Sequence, residues 1–239
     1  MKLIRSFILL GILIIANQVS AQTADEIINK HIKAIGGKDV ISKIKTQIVE
    51  ANLSVMGSDL SSESTLQVGV GFKNVANFNG QDIIQVVTPK GGWMINPLQG
   101  MTDPQALPED QVKASQSALF VGGELFEYKS KGYTAELMGK EKQEGVDVYK
   151  IKLTKKDGSV SYYYIDTKDN YVIKHESSVK EADGTDLSMT SLFSDFKKTD
   201  IGYVVPYTTV RNQGFEMTIT VSKIRFNETV DPKIFEMPK

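Results

Sequence analysis

The 239-residue chain has no cysteine, one tryptophan and two histidines. Without cysteine there can be no disulfide, no thiol nucleophile, no thiolate metal site and no lipid attached through a cysteine. The two histidines, His31 and His175, form no His-x-x-x-His pair. A serine triad would have to use one of them, and no Gly-x-Ser-x-Gly elbow is present. Both read as partly exposed structural residues, His31 on a helix and His175 on a strand beside Glu176. An excess of one charge is also lacking: 28 basic residues face 29 acidic ones. That balance speaks against a nucleic-acid or anionic-membrane binder. No apolar run after residue 21 approaches the ~18 residues needed to cross a bilayer.

Residues 1–21 do contain an apolar run, and its pattern is that of a secretory signal peptide. Lys2 and Arg5 precede an apolar stretch from Phe7 to Ala16, and Val19-Ser20-Ala21 offers small residues at the cleavage site. The expectation is a mature chain beginning at Gln22, exported from the cytoplasm without a lipid anchor and with no transmembrane segment after cleavage. Removing Lys2 and Arg5 leaves 26 basic residues and a net charge near −3. Residues 22–239 are enough for one sizeable core, and no repeat, linker or low-complexity segment divides them, so one domain is expected.

The mature chain opens with a helix. Thr23 and Glu26 have capping-box spacing, Ala24, Ile27, Ile28, Ile32 and Ile35 recur at helical period, and Gly36-Gly37 ends the run. A shorter helical piece is expected from Lys38 to about Ile44. From Thr46 the period becomes two. Val49, Ala51, Leu53 and Val55 alternate with polar residues, then a Gly57–Ser62 turn leads to Leu66, Val68, Val70 and Phe72. Asn79-Gly80, Gly91-Gly92, Asp157-Gly158 and Asp183-Gly184 are hairpin signals.

The second half reads as a meander with strands at Tyr133–Met138, Val146–Thr154, Val160–Ile165, Tyr171–Val179, Leu187–Phe196, Tyr203–Arg211 and Phe215–Phe226. Pro206 is expected near an edge or a bulge, and Gly69-x-Gly71 at a bulge or a bend in a strongly curved sheet. Asn96 to about Gly123, with Pro97, Pro104 and Pro108, reads as a loop leading into a helix from Pro108 to about Phe120. The fold class expected is α+β, mainly β, with helices covering one face of an antiparallel sheet.

Acidic pairs such as Glu124 and Glu127, or Asp166 and Asp169, fall in predicted turns, where such residues are common without catalysis. The segment Lys90–Met101 is richer. It holds Trp93 with Met94, Ile95, Leu98 and Met101, and leads towards Leu119-Phe120. One reading is ordinary core. The other is an apolar ligand site lined by Trp93, Ile95, Leu98, Met101, Leu119 and Phe120 beneath a flap. Alternation places Trp93 and Ile95 opposite Met94, so only one of these two sets can line such a site.

Several segments in order resemble the bacterial outer-membrane lipoprotein-sorting proteins: Ala24–Gly37, Gly92–Gly100, Pro108–Val112, Leu137–Lys142, Tyr162–Asp166 and Ile234–Pro238. That group in turn resembles the periplasmic lipoprotein carrier (LolA-like) family and its outer-membrane acceptor. The resemblance implies an unclosed antiparallel β-barrel, a strongly curved sheet with helices over its concave face. It also implies a soluble, monomeric periplasmic carrier that shields acyl chains of lipoproteins or other lipids, exchanging cargo with envelope donor and acceptor proteins. No cofactor, metal or catalytic residue is implied. Two alternatives stay open: a non-catalytic accessory module of an envelope assembly, and a carboxylate-based hydrolase.

Overall fold

The computed structural model describes residues 22–180 and 186–238. The leader, residues 1–21, and the Asp183-Gly184 turn lie outside the described residues. Helix α1 (Ala24–Ala34) begins as its sequence requires. The Thr23 side chain accepts from the Glu26 backbone N–H, and the Glu26 carboxylate accepts from that of Thr23, both at 3.2 Å. Gly36 (φ +123°) turns the chain into α2 (Lys38–Ile41). A Cβ on Gly36 would lie 2.9 Å from the Gly202 carbonyl oxygen, so this corner requires glycine.

Thirteen strands follow: β1 (Thr46–Val55), β2 (Ser58–Gln67), β3 (Gly71–Phe78), β4 (Gln81–Thr88), β5 (Gly91–Asn96), β6 (Met101–Ala106), β7 (Thr134–Gln143), β8 (Val146–Thr154), β9 (Val160–Asp166), β10 (Val172–Lys180), β11 (Asp186–Lys198), β12 (Val204–Asn212) and β13 (Glu216–Phe226). They form one antiparallel sheet in the order β6-β5-β4-β3-β2-β1-β13-β12-β11-β10-β9-β8-β7. Every neighbour but one is also a neighbour in sequence; the exception is β1 against β13, which joins the two halves.

The expected unclosed barrel with a strongly curved sheet is not found. The sheet is open, ending on β6 and β7, and is neither closed nor strongly curled. The reason is physical. Alternation and hairpin turns specify pairing and facing, whereas coiling depends on how successive strands twist over what packs against them. The glycines read as a bend serve another purpose. Gly69 lies in the β2–β3 turn (φ +73°). Gly71 opens β3 beneath Phe235, where a Cβ would lie 2.5 Å from the ring.

Two further readings shift. The Gly57–Ser62 turn is only Met56-Gly57, so β2 starts at Ser58. The proline-rich stretch contains an extra edge strand, β6, which tolerates Pro104 because its outer side needs no donor. Pro206 lies in β12, an interior strand, but within the part that pairs with β11 alone. Its pairing with β13 starts only at Thr208.

Helices α1, α2 and α3 (Glu109–Ser115) and the 3₁₀ turn Gln116–Leu119 lie on one face, and the 3₁₀ turn Pro232–Phe235 lies on the other. On the first face α1 packs Ile27 and Ile28 on Tyr149, Ile151, Leu153 and Ile165 of β8 and β9. The α1–α2 corner fills the gap where β12 and β13 separate, with Ile35, Ile41 and Ile44 against Tyr203, Val204 and Val205. The Val204 amide donates to the Ile35 carbonyl at 3.0 Å. On the β4 side, α3 and the 3₁₀ turn after it bury Val112 and Leu119 on Val87.

Candidate functional site

Residues Leu107–Tyr133 connect β6 to β7, the two opposite edges of the sheet, and so must cross its face. The crossing strap buries one side chain after another in three separate clusters. Leu119 joins Val87, Val121 joins Ile41 and Tyr203, and Leu125 and Tyr128 join α1 and β8. Its Glu124 is nearly buried. The carboxylate accepts from the Tyr163 hydroxyl at 2.7 Å and pairs with the Lys155 ammonium at 2.6 Å. Lys155 thus offsets the charge that burial would otherwise penalise.

Cross-strand pairing then places one continuous row on this face. Leu137, Ile151, Tyr163, His175, Ser191, Arg211, Met217 and Val55 are successive partners from β7 to β1. Its β7–β9 end is capped by α1. Its middle is polar. The His175 ring lies 4.6 Å from the Tyr163 ring, and its Nε2 is buried without a hydrogen-bond partner. Burial lowers the His175 pKa against the pull of Glu124, which keeps the ring neutral. Arg211 likewise buries an Nε with no partner among the described residues, and burial lowers its pKa with no described acidic group opposing it.

Beyond Arg211 the face is apolar on β13 and β1, with Phe193 of β11 reached across Thr209. Leu53, Val55, Phe193, Met217, Ile219 and Val221 are half-buried, and none belongs to the clusters under the helices. The opposite face of β1 and its neighbour β2 is polar and exposed at Asn52, Ser54, Ser61 and Glu63. There Arg225 pairs with Glu50, Glu63 and Glu228. A separate depression of about 610 Å³ lies beside the α1–α2 corner, with Tyr171 stacked on Phe196 and with Lys33 and Lys198 at its rim. Among the described residues, no group of three or more His, Asp or Glu is placed to hold a metal ion.

The residues singled out from sequence do not form one cluster. Trp93 and Ile95 lie on the face away from the helices. Trp93 is buried with Val86 and Phe235, and its Nε1 donates to the Phe235 carbonyl at 3.1 Å. Leu119 lies on the helix-covered face, as does Met94. Leu98 and Phe120 are exposed, the latter beneath the Lys131 ammonium, and Met101 is half-buried at the start of β6.

His31 is buried rather than partly exposed. Its Nδ1–H donates to the Asn170 carbonyl at 2.9 Å, and burial lowers its pKa. Asp166 is the last residue of β9 and holds the turn that follows, accepting from the amides of Lys168, Asp169 and Tyr171. The row through His175, Ser191 and Arg211 escaped sequence reasoning. Its only signal was same-parity placement on three separate strands.

No family model matches the sequence, and no curated relative is similar to it. Solved structures do share the fold. A LolA superfamily protein from Nitrosomonas europaea is 15% identical, with a TM-score of 0.59 over 90% of this chain and 98% of that one. A domain assigned to the outer membrane lipoprotein-sorting proteins, from Vibrio parahaemolyticus, is 16% identical, with a TM-score of 0.57 over 89% and 97%. A DUF1329 family protein from Desulfovibrio piger is 14% identical, with a TM-score of 0.51 over 90% and 98%. At these identities the likeness is one of fold: the chain has the architecture of LolA-superfamily and lipoprotein-sorting proteins, and no helix among its described residues is long and apolar enough to cross a membrane.

Proposed function

We propose that this chain is a periplasmic carrier that shields the acyl chains of lipoproteins or other lipids, exported as a single domain once residues 1–21 are removed. The observation that carries the reading is the half-buried apolar strip Leu53, Val55, Phe193, Met217, Ile219 and Val221. It lies on the face that the helices cover elsewhere. A core sheet hides such side chains, and a solvated face replaces them with polar ones. A partly covered apolar strip suits a ligand that arrives and leaves.

Each acyl CH₂ hidden from water contributes about 0.8 kcal/mol, so a long chain needs a partner to cross an aqueous compartment. Half-covered side chains match part of that and leave release within reach. The likeness in fold to lipoprotein-sorting proteins supports the same reading. Of the six residues singled out from sequence, Leu119 is on the proposed carrier face, where it anchors the strap.

The test is retention of a diacylated lipopeptide by the purified chain 22–239 on gel filtration. Co-elution is expected for the natural sequence and its loss for Leu53→Asp/Ile219→Asp, whose carboxylates would lie in the acyl path. Failure of the natural sequence to retain the lipopeptide, with a folded far-UV spectrum, would overturn the proposal. N-terminal sequencing of the periplasmic form should read Gln22.

A further inference from the structure

Arg211 is at odds with its surroundings. It sits on an interior strand, with Ser191 and Met217 as its lateral partners on the helix-covered face. The diagonal strand positions on that face are Met189, Phe193 and Ile219, none of them charged. Among the described residues no carboxylate pairs with its guanidinium, and its Nε is buried without an acceptor. Arg211 as a whole is half-buried, but a cation whose Nε is buried and orphaned is costly, because that desolvation is not repaid by a partner.

Glu124, the strap acid that reaches this row at Tyr163, is already committed to Lys155 and Tyr163. His175 lies two strands away, about 10 Å along the sheet at ~4.8 Å per strand, with its own Nε2 orphaned. The polar stretch therefore carries one excess positive charge and two unfilled hydrogen-bonding positions. It borders the apolar strip directly, since Met217 and Val55 continue the same row.

We propose that Arg211, assisted by His175, anchors the single anionic headgroup, a carboxylate or phosphate, of an amphiphile whose chain lies along Leu53, Val55, Met217 and Ile219. This rests on the carrier reading and narrows it. The cargo site discriminates by headgroup charge, not by apolar area alone. A guanidinium supplies paired N–H donors for such an oxyanion, and the anion supplies the missing counter-charge.

The test compares cis-parinaric acid with its methyl ester by probe fluorescence on the chain 22–239, with acetate and inorganic phosphate as competitors. The acid should bind about tenfold more tightly than the ester, and neither small anion should displace it at matched concentration. Arg211→Gln should weaken the acid about tenfold and leave the ester unchanged, while Arg211→Lys keeps part of the preference. Equal binding of acid and ester to the natural sequence would overturn the anchor and leave the carrier reading standing. No binding of either would overturn the carrier reading itself. Equal weakening of both ligands by Arg211→Gln, or displacement by acetate or phosphate alone, would also refute the anchor. If Arg211→Gln does not fold, the comparison on the natural sequence and on Arg211→Lys still decides.

Discussion

Phe235, in the 3₁₀ turn Pro232–Phe235, plugs the sheet on the face away from the helices, and its removal has a computable consequence. The ring is buried against Val86 and Trp93, and its backbone carbonyl accepts the Trp93 indole N–H. It also lies directly over Gly71, where a Cβ would sit 2.5 Å from Cγ and 2.7 Å from Cδ1. Truncating a buried Phe to Ala costs about 3–5 kcal/mol in lost burial and residual cavity. With a urea m-value of about 2 kcal/mol/M, Phe235→Ala should lower the unfolding midpoint by about 2 M.

Gly71→Ala acts on the same contact from the other side. Forcing a methyl into the ring costs about 1–3 kcal/mol. The double variant has no ring for the new methyl to strike, and Ala in a strand is favoured over Gly by about 0.5–1 kcal/mol. Its stability should therefore be close to that of Phe235→Ala alone, or slightly above it. The cycle predicts a coupling of about 2 kcal/mol. Trp93, the only tryptophan, reports the plug separately, with red-shifted native emission in each variant. Additive losses within about 0.5 kcal/mol in the double variant would refute the packing argument.

Other outcomes follow from single contacts. Leu119→Glu should destabilise by several kcal/mol, because its carboxylate would be buried with Val87, Leu107 and Val112. Phe120→Glu, at an exposed site beside Lys131, should change the melting temperature by little. Asp166→Ala should cost about 3 kcal/mol by chemical denaturation, since three backbone N–H groups of the β9–β10 turn lose their acceptor. His31 and His175 have native pKas lowered from 6.5 by burial, so below pH 6.5 the unfolded chain binds more protons than the folded one. Stability should fall as pH drops from 7.5 towards 5, and the slope should flatten in His31→Asn/His175→Asn. Asp25 and Asp157, lowered from 3.8, withdraw their contribution only further down the scale.

Most strand positions could be read directly because each is encoded locally. From Val146 to Thr154 the alternation specifies β8 residue for residue, and the Asp157-Gly158 turn joins it to β9. The α1 start was legible for the same reason, since Thr23 and Glu26 satisfy each other within one turn. The edge strand β6 was hidden because Pro97 and Pro104 are loop signals everywhere except on an edge. The strong curvature expected from the family resemblance drew support from Gly69 and Gly71, but a glycine needed for a turn or for a close ring contact looks the same in sequence as one needed for a bend.

The sequence by itself determined which residues alternate, where the chain reverses and which neighbours pair, because these depend on residues a few positions apart. It also determined that metal, thiol and disulfide chemistry through cysteine is excluded. Only the tertiary structure decided which face the helices and the strap would cover, and therefore that Trp93 and Ile95 lie on one side and Leu119 on the other. It alone brought His175, Ser191 and Arg211 into one row from three strands. That juxtaposition depends on the register of pairings 16 and 20 residues apart. Such a register is selected by burial of the whole face, and no short pattern along the chain carries it.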